Sequence, residues 1–336
     1  MQRVTQAAVE EEARRSGLSA EQVRELTLME AFMRRAAWVG GPFMLKGSLV
    51  TRQYLRDTDR SVERLSCDID WVCTEPFDRE RSARQLDAWA QAVTTVYMDD
   101  GVHFRPFAEN AFWRMIDYAM DDDFPTVNTD IDACILESDA QTPLHRMQVD
   151  VSFNLVLDPP AVPLHYKPCI GEAFALPSTC ALELQIAWKL HQCLVRPRFK
   201  DLLDLTWLVP HNTIDAEAIG RALRAECAAD KKANIGWLRY LLNGDMARHP
   251  MFPGQSAAMT MAQAWDCWRH ERAPGKVGYW QIVTSIGEPA SACVSRAEAL
   301  PERLEDFLAQ LHEAVHDLVS ALQPAAPPSG FKAWFR

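Results

Sequence analysis

The segment Arg64–Cys73 reads RLSCDIDWVC and sets Asp68 and Asp70 two positions apart in a mainly apolar run. Residues at i and i+2 of a β-strand share one face of the sheet. Two carboxylates held that close repel each other and raise each other's pKa unless a cation lies between them. An isolated Asp-x-Asp pair is common on surface strands and turns, but the apolar flanks favour a strand end facing a cleft. The segment therefore predicts oxygen ligands for Mg²⁺.

About twenty residues upstream, Lys46, Gly47 and Ser48 follow the apolar run Phe43–Leu45, which is typical of a short buried strand. A helix is expected to begin after them, near 49–56. Backbone N–H groups at a helix N-terminus bind phosphate, and a hydroxyl adds a donor. An ordinary strand-to-helix turn explains the same residues. The acids downstream favour the phosphate site, and the two motifs together indicate metal-assisted phosphoryl or nucleotidyl transfer.

A third carboxylate is expected from Asp150, the single acid in the β-prone run 146–154. Further strands are predicted near 111–120 and 126–136, and this third strand near 146–157. A capping box at Ser19–Gln22 predicts an amphipathic helix over 20–37. A polar helical stretch is expected near 78–98.

Beyond the prolines at 159, 160 and 163 the pattern becomes helical. Ser178 is the expected N-cap of a helix that runs through Lys189. We therefore predict domains over 1–165 and 170–323, with a linker and aromatic tail over 324–336. Further helices are predicted near 201–209, 215–229, 231–243, 256–271 and 301–322.

The stretch from Lys189 to Asp204 concentrates basic residues in an acidic protein. Asp201 and Asp204 form an i, i+3 pair on one helical face. The stretch fits a solvated helix corner with salt bridges. The more specific interpretation is that Lys189 reaches the triphosphate oxygens of a nucleotide and that a nearby acid orients its side chain.

Composition limits the class of protein. The chain has 336 residues, 48% of them hydrophobic, and a net charge of −11, so indiscriminate nucleic-acid binding is disfavoured. Its nine cysteines form no CxxC pair and are expected to be reduced. The sequence shows no leader and no membrane-spanning run, which predicts the cytoplasm and no membrane partner.

The segment His312–His316 has the HExxH form of zinc proteases. Such a site needs a third ligand, usually downstream, and no His, Asp, Glu or Cys follows Asp317. An ordinary helix surface therefore explains the pattern better.

Four motifs in order resemble the AbiEii/AbiGii family of nucleotidyltransferase toxins, within the DNA polymerase β-like nucleotidyltransferase superfamily. They are Leu45–Ser48, Arg64–Asp70, Val149–Asp150 and the segment Ala187–Leu205, and the resemblance spans about residues 25–210. It implies an α+β fold: a polymerase β-like mixed sheet with flanking helices, followed by a helical C-terminal domain that contributes to the nucleotide site.

By position, the resemblance assigns two overlapping sets of site residues. The expected catalytic residues are Asp68, Asp70, Asp150, Lys189 and Asp201, the three aspartates on strands also being the metal ligands. The expected nucleotide-binding residues are Lys46, Gly47, Ser48, Ser66, Lys189 and Lys200.

The chain departs from the family pattern in three places. Lys46 precedes Gly47 where the family usually has a further glycine, Lys200 replaces an arginine, and Cys67 replaces a usually polar residue. Lysine supplies the same positive charge as arginine but lacks the planar guanidinium group that forms two parallel hydrogen bonds. The geometry of the bound nucleotide is therefore expected to differ.

The expected activity is Mg²⁺-dependent transfer of an NMP from an NTP to an acceptor, with Mn²⁺ as the alternative metal. By resemblance, the acceptor is the 3′ end of tRNA or another RNA, and the chain is the toxin of a toxin–antitoxin or phage-defence system with a cognate antitoxin. A local RNA patch is expected from the basic stretch Lys189–Lys200 together with Arg221, Arg224, Lys231, Lys232 and Arg239. Two alternatives stay open: nucleotidyl transfer to protein, and a nucleotide-binding module without turnover.

Overall fold

The structure is a computed structural model, and it describes residues 3–55, 62–116, 125–136, 144–230, 233–249, 260–271 and 288–322. Helices and strands mix in the first half and helices dominate the second. The α-helices are α1 Gln6–Ser16, α2 Ala20–Val39, α3 Ser48–Tyr54, α4 Arg79–Thr95, α5 Leu182–Val195, α6 Phe199–His211, α7 Ala216–Ala229, α8 Leu238–Leu242, α9 Met261–His270, α10 Ala290–Cys293 and α11 Leu304–Leu322. The strands are β1 Phe43–Lys46, β2 Asp68–Cys73, β3 Val102–Phe104, β4 Arg114–Ile116, β5 Thr126–Ile135, β6 His145–Ser152, β7 Val162–Tyr166 and β8 Phe174–Thr179.

All of these strands belong to one mixed sheet in the order β3-β5-β6-β2-β1-β8-β7, with β4 paired to β5. Strand β2 lies at the centre, antiparallel to β1 and parallel to β6. Strand β8 runs parallel to β1 and antiparallel to β7. The expected α+β fold with a mixed sheet and C-terminal helices is confirmed.

The two faces of the sheet are covered by different hydrophobic clusters. On β1, Phe43 and Leu45 point into a cluster with α2 and α4, whereas Met44 points into a cluster built mainly from α5 to α11. On β2, Trp71 belongs to the first cluster and Val72 to the second. This period-2 alternation places even-numbered residues of both strands toward the C-terminal helices.

The local signals at the N-terminus act as the sequence predicts. Ser19 accepts from the Gln22 backbone N–H, and the Gln22 side chain accepts from the Ser19 N–H, which completes the capping box of α2. Asp78 caps α4 by accepting from the Arg81 N–H at 2.8 Å. Helix α2 extends to Val39, two residues beyond the predicted end, and Gly40 follows it.

Several predicted boundaries were wrong. Ser178 is not a helix cap: it lies in β8, because the backbone of 174–179 pairs with both β1 and β7, and α5 begins four residues later. Of the helix predicted over 231–243, the described residues 233–243 form only a 3₁₀ turn at Ile235–Trp237 and the short α8. Residues 117–120 of a predicted strand, 256–259 of a predicted helix and the tail over 324–336 lie outside the described residues.

The predicted domain boundary near 160–175 coincides with β7 and β8, which complete the sheet before α5 begins. The backbone N–H of Cys180 donates to the Leu45 carbonyl at 2.8 Å, which ties the start of the helical portion to β1. Among the described residues, no helix is both long and apolar enough to cross a membrane.

Candidate active site

Three aspartates meet on the face of the sheet that looks toward the C-terminal helices. Asp70 of β2 lies opposite Asp150 of β6 in a parallel pairing, and Asp68 lies two residues earlier on the same face. One carboxylate oxygen from each can be chosen so that all three lie within 4.8 Å of one another. The Gln148 amide donates to Asp150 Oδ1 at 2.9 Å and fixes that carboxylate. The cluster offers only oxygen ligands, as a hard divalent cation prefers.

The turn after β1 approaches Asp70 closely. Lys46 lies opposite Asp70 in the β1–β2 pairing, and its Nζ contacts Asp70 Oδ1 at 2.9 Å. Gly47 has φ of +80°, and a Cβ at this position would lie 2.1 Å from Asp70 Oδ2. Only glycine combines this conformation with this contact.

Two serines lie at the start of α3. The hydroxyls of Ser48 and Ser66 are in hydrogen-bond contact with each other. The Ser66 hydroxyl also donates to the Asp68 carbonyl at 2.7 Å. Gly47, rather than Ser48, is the N-cap residue of α3, and no side chain caps this helix. The turn therefore places two hydroxyls beside uncapped backbone N–H groups.

Gln185 connects α5 to this turn. Its amide nitrogen donates to the Gly47 carbonyl and to Thr51 Oγ1, each at 2.7 Å. Its amide oxygen accepts from the Gly47 N–H at 3.4 Å. Although Gln185 is 97% buried, all of its polar groups find partners in the turn and α3. The glutamine thereby sets the position of the turn relative to the helical portion.

A buried charge network lies beside the aspartates. Asp204 of α6 is fully buried and accepts from Arg64 Nε at 2.7 Å and from Lys189 Nζ at 2.6 Å. These cations outweigh burial and hold the pKa of Asp204 below its usual value. Arg64 also donates to the Cys293 carbonyl at 3.0 Å. Asp204 therefore joins the segment before β2, α5 and α6 through ionic hydrogen bonds.

A second set of ion pairs continues toward the cavity mouth. Arg198 Nε lies 2.6 Å from Asp201 Oδ2, and Lys189 Nζ lies 3.6 Å from Asp201 Oδ1. Arg198, followed by Lys189, outweighs burial and lowers the pKa of Asp201. Lys200 pairs with Glu288, which stands before α10. Both acids are therefore ionised at neutral pH.

The aspartates on β2 differ in protonation. Burial and the neighbouring Asp70 carboxylate raise the pKa of Asp68 to about 7. Burial also acts on Asp70, but the Lys46 ammonium outweighs it and lowers the pKa. The repulsion expected between paired carboxylates is thus present, and it appears as the raised pKa of Asp68. A divalent cation would relieve it.

Most of these groups line one cavity of about 360 Å³ between the sheet and α5–α7, whereas Asp204, Gln148 and Thr51 are not part of its lining. The structure brings together every residue expected from the sequence: Lys46, Gly47, Ser48, Ser66, Asp68, Asp70, Asp150, Lys189, Lys200 and Asp201. Lys189 lies in the wall, held by the two acids of α6 rather than extended into the space.

Sequence reasoning assigned no site role to Arg64, Gln185, Arg198 or Asp204. Arg64 and Arg198 lie within motifs that the sequence pointed to, and Asp204 forms the i, i+3 pair with Asp201. Gln185 gives no sequence signal, because a glutamine on a helix is ordinary until its tertiary partner is known.

Acidic strands around a cation-lined cavity are typical of enzymes that act on phosphate esters with a metal ion. The family model of the nucleotidyl transferase AbiEii toxin of type IV toxin–antitoxin systems matches residues 42–317. The chain belongs to this family, and it is a nucleotidyltransferase toxin of a type IV system. The family resemblance seen in the sequence is confirmed.

A solved structure, MenT4, a nucleotidyltransferase toxin from Mycobacterium tuberculosis H37Rv, is similar with a TM-score of 0.47 and 14% sequence identity. The alignment covers 94% of this chain and 90% of that chain. No curated protein sequence matches the chain significantly.

Membership in the family implies an NTP substrate, a divalent metal and an antitoxin partner. The residues present fit such a metal, because three carboxylates converge and offer only oxygen donors.

Proposed function

We propose that this toxin transfers an NMP from an NTP to the 3′ end of tRNA in a Mg²⁺-dependent reaction that releases pyrophosphate. The observation that carries the proposal is the convergence of Asp68, Asp70 and Asp150 on the floor of a cavity whose walls supply Arg and Lys. The proposed setting is the cytoplasm, where the chain acts as the toxin of a toxin–antitoxin or phage-defence system.

In this proposal Asp68, Asp70 and Asp150 hold Mg²⁺, or Mn²⁺ in its place. Two bound ions would stabilise charge at the α-phosphate and lower the pKa of the attacking hydroxyl. Asp150 is 97% buried and lies on the neighbouring strand, which suits it to receive the proton of that hydroxyl.

The turn after β1 is assigned to the triphosphate. Gly47 and Ser48 offer the N-terminus of α3, and Ser66 offers a second hydroxyl at hydrogen-bond distance from the first. Lys46 and Lys200 line the same space and compensate the negative charge of the phosphates.

Lys189 and Asp201 act from the wall of the cavity. The ammonium of Lys189 is shared between Asp204 at 2.6 Å and Asp201 at 3.6 Å. Asp201 also holds Arg198, which lines the cavity. We assign Asp201 the role of fixing both cations in the wall beside the phosphates, so that their charge is in place before the nucleotide arrives.

The RNA acceptor rests on the family resemblance. Within the proposed patch, Arg221 pairs with Glu217 on the surface of α7 and Arg239 lies over the Tyr240 ring. Lys231 and Lys232 lie outside the described residues. Reversing both lysine charges is expected to weaken RNA binding without changing NTP binding.

The test is incubation with Mg²⁺, total RNA and each α-labelled NTP in turn, comparing the wild type with Asp70→Asn. The matched control is Asp130→Asn, an acid of the same sheet that pairs with Arg114 away from the cavity. Label is expected in tRNA with the wild type and the control, and at background with Asp70→Asn.

Two other outcomes would contradict the proposal. Label in protein would establish transfer to a protein acceptor. NTP binding by calorimetry without pyrophosphate release, in the presence of RNA, would indicate a binding module without turnover.

A further inference from the structure

The cavity has a second end, formed by α5 and α7, that the phosphate chemistry does not use. It is lined by Trp188 and His191 of α5, Glu226 of α7 and Asp230 just after it. The Trp188 indole N–H donates to Glu226 Oε1 at 2.8 Å. Glu226 is 94% buried and Asp230 is 96% buried, so both acids belong to the wall rather than to a solvated surface.

His191 is the independent sign that this end receives a ligand. The side chain is 91% buried and lines the cavity, and its Nε2 makes no hydrogen bond within the described part of the chain. This nitrogen lies 3.4 Å from Asp230 Oδ2. Burial outweighs the attraction of Asp230 and lowers the pKa of His191, so the ring is neutral at pH 7. A buried ring nitrogen without a hydrogen bond is costly unless a ligand group completes it.

The two ends differ in their balance of charge, because the acids near the aspartate cluster lie among cations. Lys46, Arg64, Arg198 and Lys200 line the end near the aspartates, whereas two carboxylates line the end between α5 and α7. Carboxylates repel phosphate and accept hydrogen bonds from N–H groups. This end therefore suits the uncharged part of a substrate whose phosphates lie at the other end.

The two ends are joined along one helix face. Gln185, which holds the phosphate turn, is followed by Trp188 and Gln192 at helical spacing, and all three line the cavity. At 1.5 Å per residue, the span from Gln185 to Gln192 is about 10 Å. The cavity therefore extends along α5 from the proposed triphosphate site, and a nucleoside attached to those phosphates would lie along it.

We propose that the α5–α7 end is the nucleobase subsite for the NTP, selective for bases that carry an exocyclic amino group over uracil. Glu226 and Asp230 accept hydrogen bonds from the base, the neutral His191 completes its polar edge, and Trp188 forms an aromatic wall against it. This inference rests on the proposed function, because it assumes an NTP whose phosphates lie at the Gly47 turn.

Binding of non-hydrolysable α,β-methylene NTP analogues tests the subsite, measured by calorimetry with Mg²⁺ and without RNA. Inorganic tripolyphosphate, which has no base, reports the phosphate end separately. The adenine, guanine and cytosine analogues are expected to bind wild type at least about 10-fold more tightly than the uracil analogue.

Glu226→Gln and Asp230→Asn remove the negative charge and replace one of the two acceptor oxygens by an N–H donor, which weakens hydrogen bonds from the base. We expect each to reduce the preference over uracil at least about 10-fold while the Kd of tripolyphosphate stays within about 2-fold. The crossed control is Glu288→Gln, which frees Lys200 at the phosphate end. It is expected to change tripolyphosphate affinity and leave the base preference intact.

Three outcomes overturn the inference. If wild type binds the uracil analogue as tightly as the others, the proposed base selectivity is wrong. Binding of tripolyphosphate in the same experiment would still support the proposed phosphate site. A preference that appears only when RNA is added assigns this end to the acceptor. Absence of binding by tripolyphosphate and by all analogues overturns the proposed function as well. The wild-type comparison needs no variant, so a variant that fails to fold does not remove the test.

Discussion

Gly47 allows the phosphate turn and the aspartate cluster to share one small space. Its φ of +80° is one that residues with a side chain rarely adopt, and the space where a Cβ would stand is occupied by the Asp70 carboxylate. Conformation and contact each require glycine at this position. The residue therefore has a role in catalytic geometry as well as in turn formation.

The Gly47→Ala variant is expected to lower kcat/KM about 100-fold, because the added methyl displaces Asp70 and Lys46 by about an ångström. Gly17→Ala is the matched control: Gly17 has φ of +75° and nothing within 4 Å of an added Cβ. Both variants carry a left-handed strain of about 1–2 kcal/mol, seen as a lower Tm. Steady-state kinetics alongside thermal melting separates the two effects, and equal kinetics for both variants would refute the role of the contact.

At this scale the sequence predicted the chemistry better than the support around it. Asp68, Asp70 and Asp150 could be predicted, because burying a carboxylate in an apolar strand costs free energy. Acids at such positions therefore indicate a functional role. Asp204 could not be assigned its role, because the two cations that it holds come from α5 and from the segment before β2. Such partners are set by the fold and leave no local pattern.

Helix α5 is the element that connects both ends of the cavity. Its first two turns hold the Gly47 turn through Gln185, its middle carries Lys189 into the ion-pair network, and the next turn carries His191. A shift of α5 would therefore move the phosphate site and the α5–α7 end together. We expect substitutions that loosen its contact with the turn to act on substrate affinity.

Gln185→Leu is expected to raise the KM for NTP about 10-fold, since it removes two hydrogen bonds that orient the turn, each worth about 0.5–1.5 kcal/mol. Gln53→Leu is the control, because Gln53 on α3 also bridges backbone groups, those of Lys167, and does not line the cavity. Initial-rate kinetics and melting are compared for both. A Gln185→Leu enzyme with a lower Tm but an unchanged KM would mean that the glutamine is only structural.

Among elements, the sequence predicted the unit of β1, turn and α3, together with β2 and β6, because local turn and periodicity signals mark them. It missed β3, β7 and β8. Strand β8 reads FALPST, whose proline and serine resemble a helix start, and its pairing with β1 joins residues far apart in sequence. Strand formation there depends on a partner rather than on local propensity.

At the scale of the whole molecule, the sheet serves two hydrophobic clusters at once. Met44 and Leu45 are adjacent on β1 and both are fully buried, but they point into different clusters. The proposed division into domains at 1–165 and 170–323 therefore runs through a shared sheet. Each cluster needs the same strands, so loss of either one exposes a face of the sheet.

We predict that the chain unfolds in one cooperative transition, and that Met44→Ala and Leu45→Ala each lower the Tm of that single transition. Each substitution removes a fully buried side chain from a strand and is expected to cost about 2–5 kcal/mol. The pair is matched, since the residues are neighbours with equal burial and opposite orientation. Differential scanning calorimetry of wild type and both variants measures the effect.

Two independent domains would behave differently. The wild type would then show two transitions, Met44→Ala would shift only the transition of the C-terminal helices, and Leu45→Ala only that of the α2–α4 side. Cooperativity has a functional consequence, because the aspartates and Lys46 lie on the sheet, whereas Lys189 and Lys200 lie on α5 and α6. A sheet that lost its helical cover would retain the three acids and Lys46 but would lose Lys189 and Lys200, which the proposed phosphate chemistry also uses. Folding and assembly of the site are therefore expected to occur together.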